Sequence, residues 1–258
     1  MEKEEVKKKV QNTFGKNAEK YVTSKIHGDA AELNQLVQTL NPQKDWVVLD
    51  IATGGGHVAK SMAPFVSQVF AADLTKEMLA NTARHLESFK NIWYVLADAE
   101  ALPFLDKYFD AVTCRIAPHH FPNPEKFISE AGRVLKPGGH FLMIDNVSPE
   151  EKELAGFMNT VEKLRDDSHY GCLSTGEWRK LFAAYGLHET NSKSRKKQFD
   201  FPSWVRRTAE SDEQIRAVED YILQADQAAA DYFQIELHDD GRVQSFKVDE
   251  WMALCVKQ

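Results

Sequence analysis

Three carboxylates and a run of glycines carry most of the chemistry legible in this chain of 258 residues. In VVLDIATGGGHVAK (47–60) an apolar run passes through Asp50, and Gly54, Gly55 and Gly56 follow before a helical pattern begins. Gly54, Gly56 and Ala59 satisfy the G-x-G-x-x-G/A spacing that lets backbone approach a ligand closely at a strand-to-helix turn. Asp73 closes the next apolar run about twenty residues on, where an acid can hold ribose hydroxyls. A dinucleotide or another adenosine-bearing cofactor meets both requirements. Asp50 tilts the choice, because an acid so near the loop repels a pyrophosphate and tolerates an ammonium and a sulfonium. Asp98, at the end of a third run in LADAEALPF, can accept a hydrogen bond from an exocyclic adenine amine.

Other residues offer less. His119 and His120, in RIAPHHFPNP after the fourth run, can serve as a base or a substrate contact, although strand-end histidines often only pack or hydrogen-bond a loop. Nearness to strand ends or lids is all that recommends His27, Asp145, Asn146, His169 and Tyr170. RDDSH reads as a solvated helix cap and SKSRKK, with Arg206 and Arg207 nearby, as a solvated basic face. Cys114, Cys172 and Cys255 are too scattered for a zinc site and read as buried thiols, so no metal is expected.

Positioning these groups requires strands that end together. WVVLDI (46–51), QVFAAD (68–73), IWYVLAD (92–98), FDAVTC (109–114) and HFLMID (140–145) are short and continuously apolar, as strands buried on both faces should be. Helical patterns alternate with them. Thr75 is a candidate N-cap for 76–89, and Asn123-Pro124 opens a helix that KPGG (136–139) stops. Beyond Asp145, an amphipathic helix carries Leu154, Phe157, Met158, Val161 and Leu164. Ser174 to Glu177 matches a capping box, 187–201 looks extended, 203–233 helical, and 241–257 again extended. The pattern is α/β, with a parallel sheet covered on both faces.

The balance of 39 acidic against 32 basic residues, net −7, argues against nucleic acid as a partner. MEKEEVKKKV lacks a signal peptide's apolar core and no stretch reaches membrane-span length, so a cytoplasmic protein is expected. Oligomeric state is not legible.

VVLDIATGGGHVAK, VFAADLTKEML, ADAEALPFLDKYFDAVTCRIAPHHFPNP and VLKPGGHFLMID, in that order over residues 47–145, together resemble the motif set of the class I S-adenosylmethionine-dependent methyltransferases. The subgroup resembled is that of quinone-biosynthesis and small-molecule methyltransferases. The resemblance implies a Rossmann-like, doubly wound, mostly parallel seven-stranded sheet with an antiparallel last strand and helical lid elements. It implies one domain, with an N-terminal helical cover (1–40), a cofactor-binding core (41–148) and a remainder with the substrate lid (149–258). It also implies S-adenosylmethionine as cofactor. Ala52, Thr53, Gly54, Gly55 and Gly56 would line the methionine portion and Asp50 would orient the loop. Asp73 would hold the ribose beside Leu74, Asp98 and Ala99 would meet the adenine, and Arg115 would lie under the methionine end. Met78, which alone reads as core or lid packing, is carried with this set. FGKNAEKYVTSKIHG (14–28) resembles the cofactor-covering helix, with Tyr21 and Ser24 as contacts. Ala52 departs from the family's usual glycine. The acceptor expected is small and apolar or aromatic, on the strength of Phe157, Met158, Trp204, Tyr221 and Phe233 in the lid regions. The alternatives are a non-catalytic S-adenosylmethionine-binding protein and a nicotinamide-dependent oxidoreductase.

Overall fold

Apolar runs that end in or beside acids form the parallel half of one sheet in the computed structural model, which describes residues 2–22 and 29–258. The chain enters through α1 (Glu2–Val22) and α2 (Ala30–Leu40), then alternates β1 (Val47–Ile51), α3 (His57–Met62), β2 (Gln68–Asp73), α4 (Lys76–His85) and β3 (Ile92–Leu96). Next come β4 (Phe109–Arg115), α5 (Pro124–Val134) and β5 (Leu135–Val147). The remainder runs α6 (Lys152–Arg165), α7 (Thr175–Ala184), β6 (Leu187–Asp200), α8 (Phe201–Val205), α9 (Asp212–Leu223), α10 (Gln227–Tyr232), β7 (Glu236–Leu237) and β8 (Val243–Lys257).

The sheet order is β3-β2-β1-β4-β5-β8-β6. Strands β1 to β5 pair in parallel, and β8 runs antiparallel to both β5 and β6. Chain order reverses between β1 and β4, and the crevice outside the carboxyl ends of the strands at such a point is where open α/β sheets bind ligands. The seven expected strands are joined by an eighth, β7, which pairs with β8 off that path. Two residues long, it leaves no apolar run to read.

Two aliphatic and aromatic layers clamp the parallel strands. On one face Phe127 of α5 and Trp178 and Phe182 of α7 pack on Val112, Phe141 and Trp251. On the other, Leu36, Val58 and Met62 of α2 and α3 cover Val48, Val69 and Leu142. A third cluster lies under α6, α8, α9 and α10, where β6 and β8 extend beyond the parallel strands. Phe157 stacks there on Tyr221 and meets Phe233, so these residues are the lid's own core.

The start and stop signals act as read, with local differences. Asn123 accepts from the Lys126 amide, and Ser174 and Glu177 form the full capping box. Thr75 makes no side-chain cap bond. Strand β5 begins at Leu135, before KPGG, because Leu135 pairs with Phe109 ahead of a register shift. The helical 203–233 stretch divides into α8, α9 and α10. Helix α1 starts well before Phe14. Ser24 and His27 fall outside the described residues, and Tyr21 contributes only its place in the α1 backbone.

Gly56 caps α3 with a φ of 75°, and a Cβ there would lie 2.4 Å from Thr82 Cγ2 and 2.8 Å from Leu86 Cδ1 on α4. Gly56→Ala is therefore expected to destabilise the fold by about 2 kcal/mol or more, combining left-handed strain with overpacking. Urea unfolding measures this, and an unchanged midpoint would contradict the packing described.

Candidate active site

The turn after β1 is held by two buried acids. Asp50 accepts from Thr53 Oγ1 at 2.6 Å and from Thr113 Oγ1 of β4 at 2.8 Å. Asp73, at the end of β2, accepts from the Gly54 amide and from the Thr75 amide, each at 2.9 Å. This second bond meets one of the orphan donors at the start of α4, in place of a Thr75 side-chain cap. Between these anchors the backbone is left-handed at Ala52 (φ 53°) and Gly54 (φ 53°). Such a conformation costs an L-residue about 1–2 kcal/mol, which the glycine usual in the family would avoid at position 52. A Cβ on Gly54 would meet nothing closer than Ala52 O at 4.0 Å, so the loop backbone faces open space.

That space is a cleft of about 1030 Å³. Asp50, Ala52, Thr53, Gly54 and Gly55 form its floor, and Asp73, Leu74 and Met78 one wall. Asp98, Ala99, Arg115 and His120 complete the expected residues found at its lining. Gly56 is absent from the lining and faces α4. His119 belongs to a neighbouring chamber.

Charge and burial set the character of the cleft. Burial pushes the Asp50 carboxyl up to about 6, against the opposing effect of its two threonine bonds. The same burial raises Asp73, although backbone N–H donors from Thr75 and Gly54 resist it. Lys7 of α1 reaches over the strand ends and pairs with Asp98 and Glu100, each at 2.7 Å. Burial disfavours its ammonium, yet the bonds and charges of these two acids outweigh that and raise its pKa. Arg115 donates to Glu32 of α2 at 2.8 Å.

Lys7, Val10 and Phe14 line the cleft and escaped the sequence reading. They recur at helical spacing on one face of α1, a signal present within MEKEEVKKKV and beyond it, masked by the alternating charges. Glu100 escaped too, because its place in the lining depends on distant partners, Lys7 and the Asn123 amide.

Past β4, the His119 Nδ1–H donates to Asp145 Oδ1 at 2.7 Å, and the His119 amide donates to Asp145 Oδ2 at 2.9 Å. Burial disfavours the charged imidazole, but the Asp145 carboxylate outweighs it and raises the His119 pKa. His120 Nδ1–H donates to Ser168 O at 3.0 Å, and burial lowers its pKa. His169 donates from Nε2 to Asn159 Oδ1 and is likewise lowered by burial, so it serves the fold around the pair. Tyr170 is largely exposed.

Similarity to known proteins agrees with this geometry. Residues 49–143 match the methyltransferase domain family Methyltransf_11. Methyltransferase YcgJ of Bacillus subtilis is 34% identical over 235 residues, covering 90% of this chain and 93% of its own. The chain belongs to the class I S-adenosylmethionine-dependent methyltransferases. The solved YcgJ structure superposes with a TM-score of 0.86, over 88% of this chain and 98% of that one. A Bacillus halodurans C-125 protein, 39% identical, gives 0.85 over 88% and 99%. The ubiquinone/menaquinone biosynthesis C-methyltransferase UbiE of Rickettsia typhi is 30% identical over 164 residues, 57% of this chain and 64% of its own. The protein is thus a methyltransferase enzyme with the expected Rossmann-like fold and S-adenosylmethionine as its cofactor. No helix among the described residues is long and apolar enough to cross a membrane.

The raised Asp50 carboxyl makes stability depend on pH. Its contribution to stability is full below its ordinary 3.8 and is lost as pH rises through about 6. Asp50→Asn, with no charge to bury, is expected to gain about 2 kcal/mol on the wild type between pH 4 and pH 7 in urea unfolding. Parallel pH profiles for the two proteins would contradict it.

Proposed function

We propose that this methyltransferase acts on a small apolar or aromatic acceptor held beside the cofactor cleft, with His119 as the general base. The observation that carries the reading is the His119–Asp145 pair. With Nδ1 committed to Asp145, Nε2 is the nitrogen left to take a proton, and His119 lines the chamber adjoining the cleft.

The residues present fit the cofactor. The backbone from Ala52 to Gly55 passes the cleft with no side chain at Gly54 to block it. Asp73 keeps lone pairs beyond those given to the two amides, and in this reading they accept the ribose hydroxyls. Leu74 and Met78 offer apolar contact to the adenine, with Asp98 and Ala99 at its edge, while Arg115 meets the methionine carboxylate. Bound S-adenosylmethionine supplies an electrophilic sulfonium methyl group, and its transfer leaves S-adenosylhomocysteine.

The chain's own part is to aim and to deprotonate. Orienting a nucleophile in line with a methyl group can supply about 7–11 kcal/mol, and a positioned base typically adds 10²–10⁴-fold. His119 removes the acceptor's proton as nucleophilic character develops, and Asp145 stabilises the imidazolium so formed. His120, kept neutral by burial and edge-on to Phe14, closes the boundary between cleft and chamber. UbiE, by its name a C-methyltransferase of quinone biosynthesis, supports hydroquinones and phenols as the acceptors to screen first.

His119→Gln is expected to lower kcat by about 10²–10⁴-fold with unchanged affinity for S-adenosylhomocysteine, on an acceptor recovered by screening hydroquinones and phenols with methyl-labelled S-adenosylmethionine. Because the base must be unprotonated and its pKa is raised, wild-type kcat/KM should climb with pH through a value above the ordinary 6.5. Asp145→Asn should move that climb to lower pH. A His119→Gln enzyme with the wild-type rate and profile would remove the histidine from the mechanism.

A further inference from the structure

The chamber beside the cofactor cleft is open to solvent and shares Phe14, Arg115, Ile116 and His120 with it. Its wall is basic in a protein of net charge −7: Arg115, Arg165, Lys197 and Arg207 stand against Glu162 and Asp166. Arg115 belongs with the cofactor side. The other three cations come from separate places in the chain, the end of α6, the later part of β6 and the turn after α8, so their convergence is a product of the fold; Arg165 pairs with Glu162 and Lys197 with Glu250. Both acids are engaged. Glu162 accepts from Arg165 Nη2 at 2.7 Å, and Asp166 accepts from the Ser168 amide and hydroxyl.

Among the described residues, Arg165 Nε and Asn146 Oδ1 on this wall have no hydrogen-bond partner. Arg165 lies with its guanidinium 4.4 Å from the Trp204 ring centroid, its side chain 11% exposed, and its Nε is buried without a hydrogen-bond acceptor. Asn146, 8% exposed, has Oδ1 buried without a donor. Buried polar atoms nearly always find partners, and two orphans of opposite sense in one chamber mark where a ligand's acceptor and donor groups would sit. Phe14, Phe199 and Trp204 give the same chamber aromatic surface.

We propose that the methyl acceptor is an aromatic acid. Its anionic oxygen group, a carboxylate or a phosphate, is received by Arg165 with Lys197 and Arg207, its ring lies among Phe14, Phe199 and Trp204, and its hydrogen-bond donor meets Asn146 near His119. This rests on the methyl-transfer reading for the word acceptor, while the anion subsite stands on the chamber alone. A planar guanidinium favours carboxylate and phosphate over neutral oxygens, so the charged group decides which small molecules enter.

The test uses protein loaded with S-adenosylhomocysteine and titrated by calorimetry with 4-hydroxybenzoate, 4-hydroxyphenyl phosphate and the neutral 4-hydroxybenzamide. One or both anions are expected to bind at least about tenfold more tightly than the amide, the better of the two naming the source of the charge. Arg207→Gln should erase that preference, and Arg165→Lys, which keeps the charge beside Glu162 and loses the planar fork, should weaken it. Affinity for S-adenosylhomocysteine should not change in either variant. Equal binding of anions and amide, no binding of either anion, or a preference that survives both substitutions would overturn the proposal. Selective anion binding with no methylation of the bound probe by methyl-labelled S-adenosylmethionine would instead count against its use as the acceptor and leave the anion subsite standing.

Discussion

The site depends on a carboxylate at the end of a central strand whose two oxygens accept backbone N–H groups from both neighbouring turns. Asp73 ties the glycine loop after β1 to the start of α4, across the pair of parallel strands that brings them together. With Thr82 Oγ1 donating to Gly54 O and the Thr53 amide donating to Ala72 O, it holds the left-handed run through Ala52 and Gly54 from its far side, as a strained loop requires. Asp50 does the same from below, joining the loop to β4 through Thr113. The acids thus work first as structural acceptors. Their burial, which raises both carboxyl pKa values, is the cost of placing them at the mouth of a cleft.

Around that centre the molecule separates charge. Among the described residues, the cleft gathers Asp50, Asp73, Asp98 and Glu100 with Lys7 of α1, while the adjoining chamber gathers Arg165, Lys197 and Arg207 with Glu162, Asp166 and a histidine pair, and Arg115 borders both. An acidic cleft suits a cationic cofactor and a basic chamber suits an anion, so the two sides of His120 would favour ligands of opposite charge. The lid cluster of Met158, Trp204, Ile222 and Phe233 supplies the rigidity for the chamber side, since Trp204 both packs in that cluster and supports Arg165.

Much of the first half of this arrangement was legible in the sequence. Continuous apolar runs ending near Asp50, Asp73 and Asp98 located β1 to β3, and the glycine spacing located the loop, because local backbone requirements leave a local signature. The acceptor side was not. Lys197 was read within a solvated basic run and Asp145 only by its nearness to a strand end, yet the fold brings both to the chamber or its border. Phe157, Tyr221 and Phe233, whose types suggest an apolar or aromatic acceptor, also pack together, Phe157 stacking on Tyr221 and meeting Phe233. Contacts between residues far apart in the chain, such as Lys7 with Asp98, have no periodic trace, and β7 is too short to leave one.

The most direct measurement is a double comparison on Asp73: calorimetric affinities of wild type and Asp73→Asn for S-adenosylhomocysteine and for its 2′-deoxy analogue. If Asp73 takes the ribose while bracing the loop, removal of the hydroxyl should weaken binding to the wild type by about tenfold or more and leave the variant nearly indifferent. An equal loss on both proteins would contradict a direct ribose contact and reduce Asp73 to a brace for the loop.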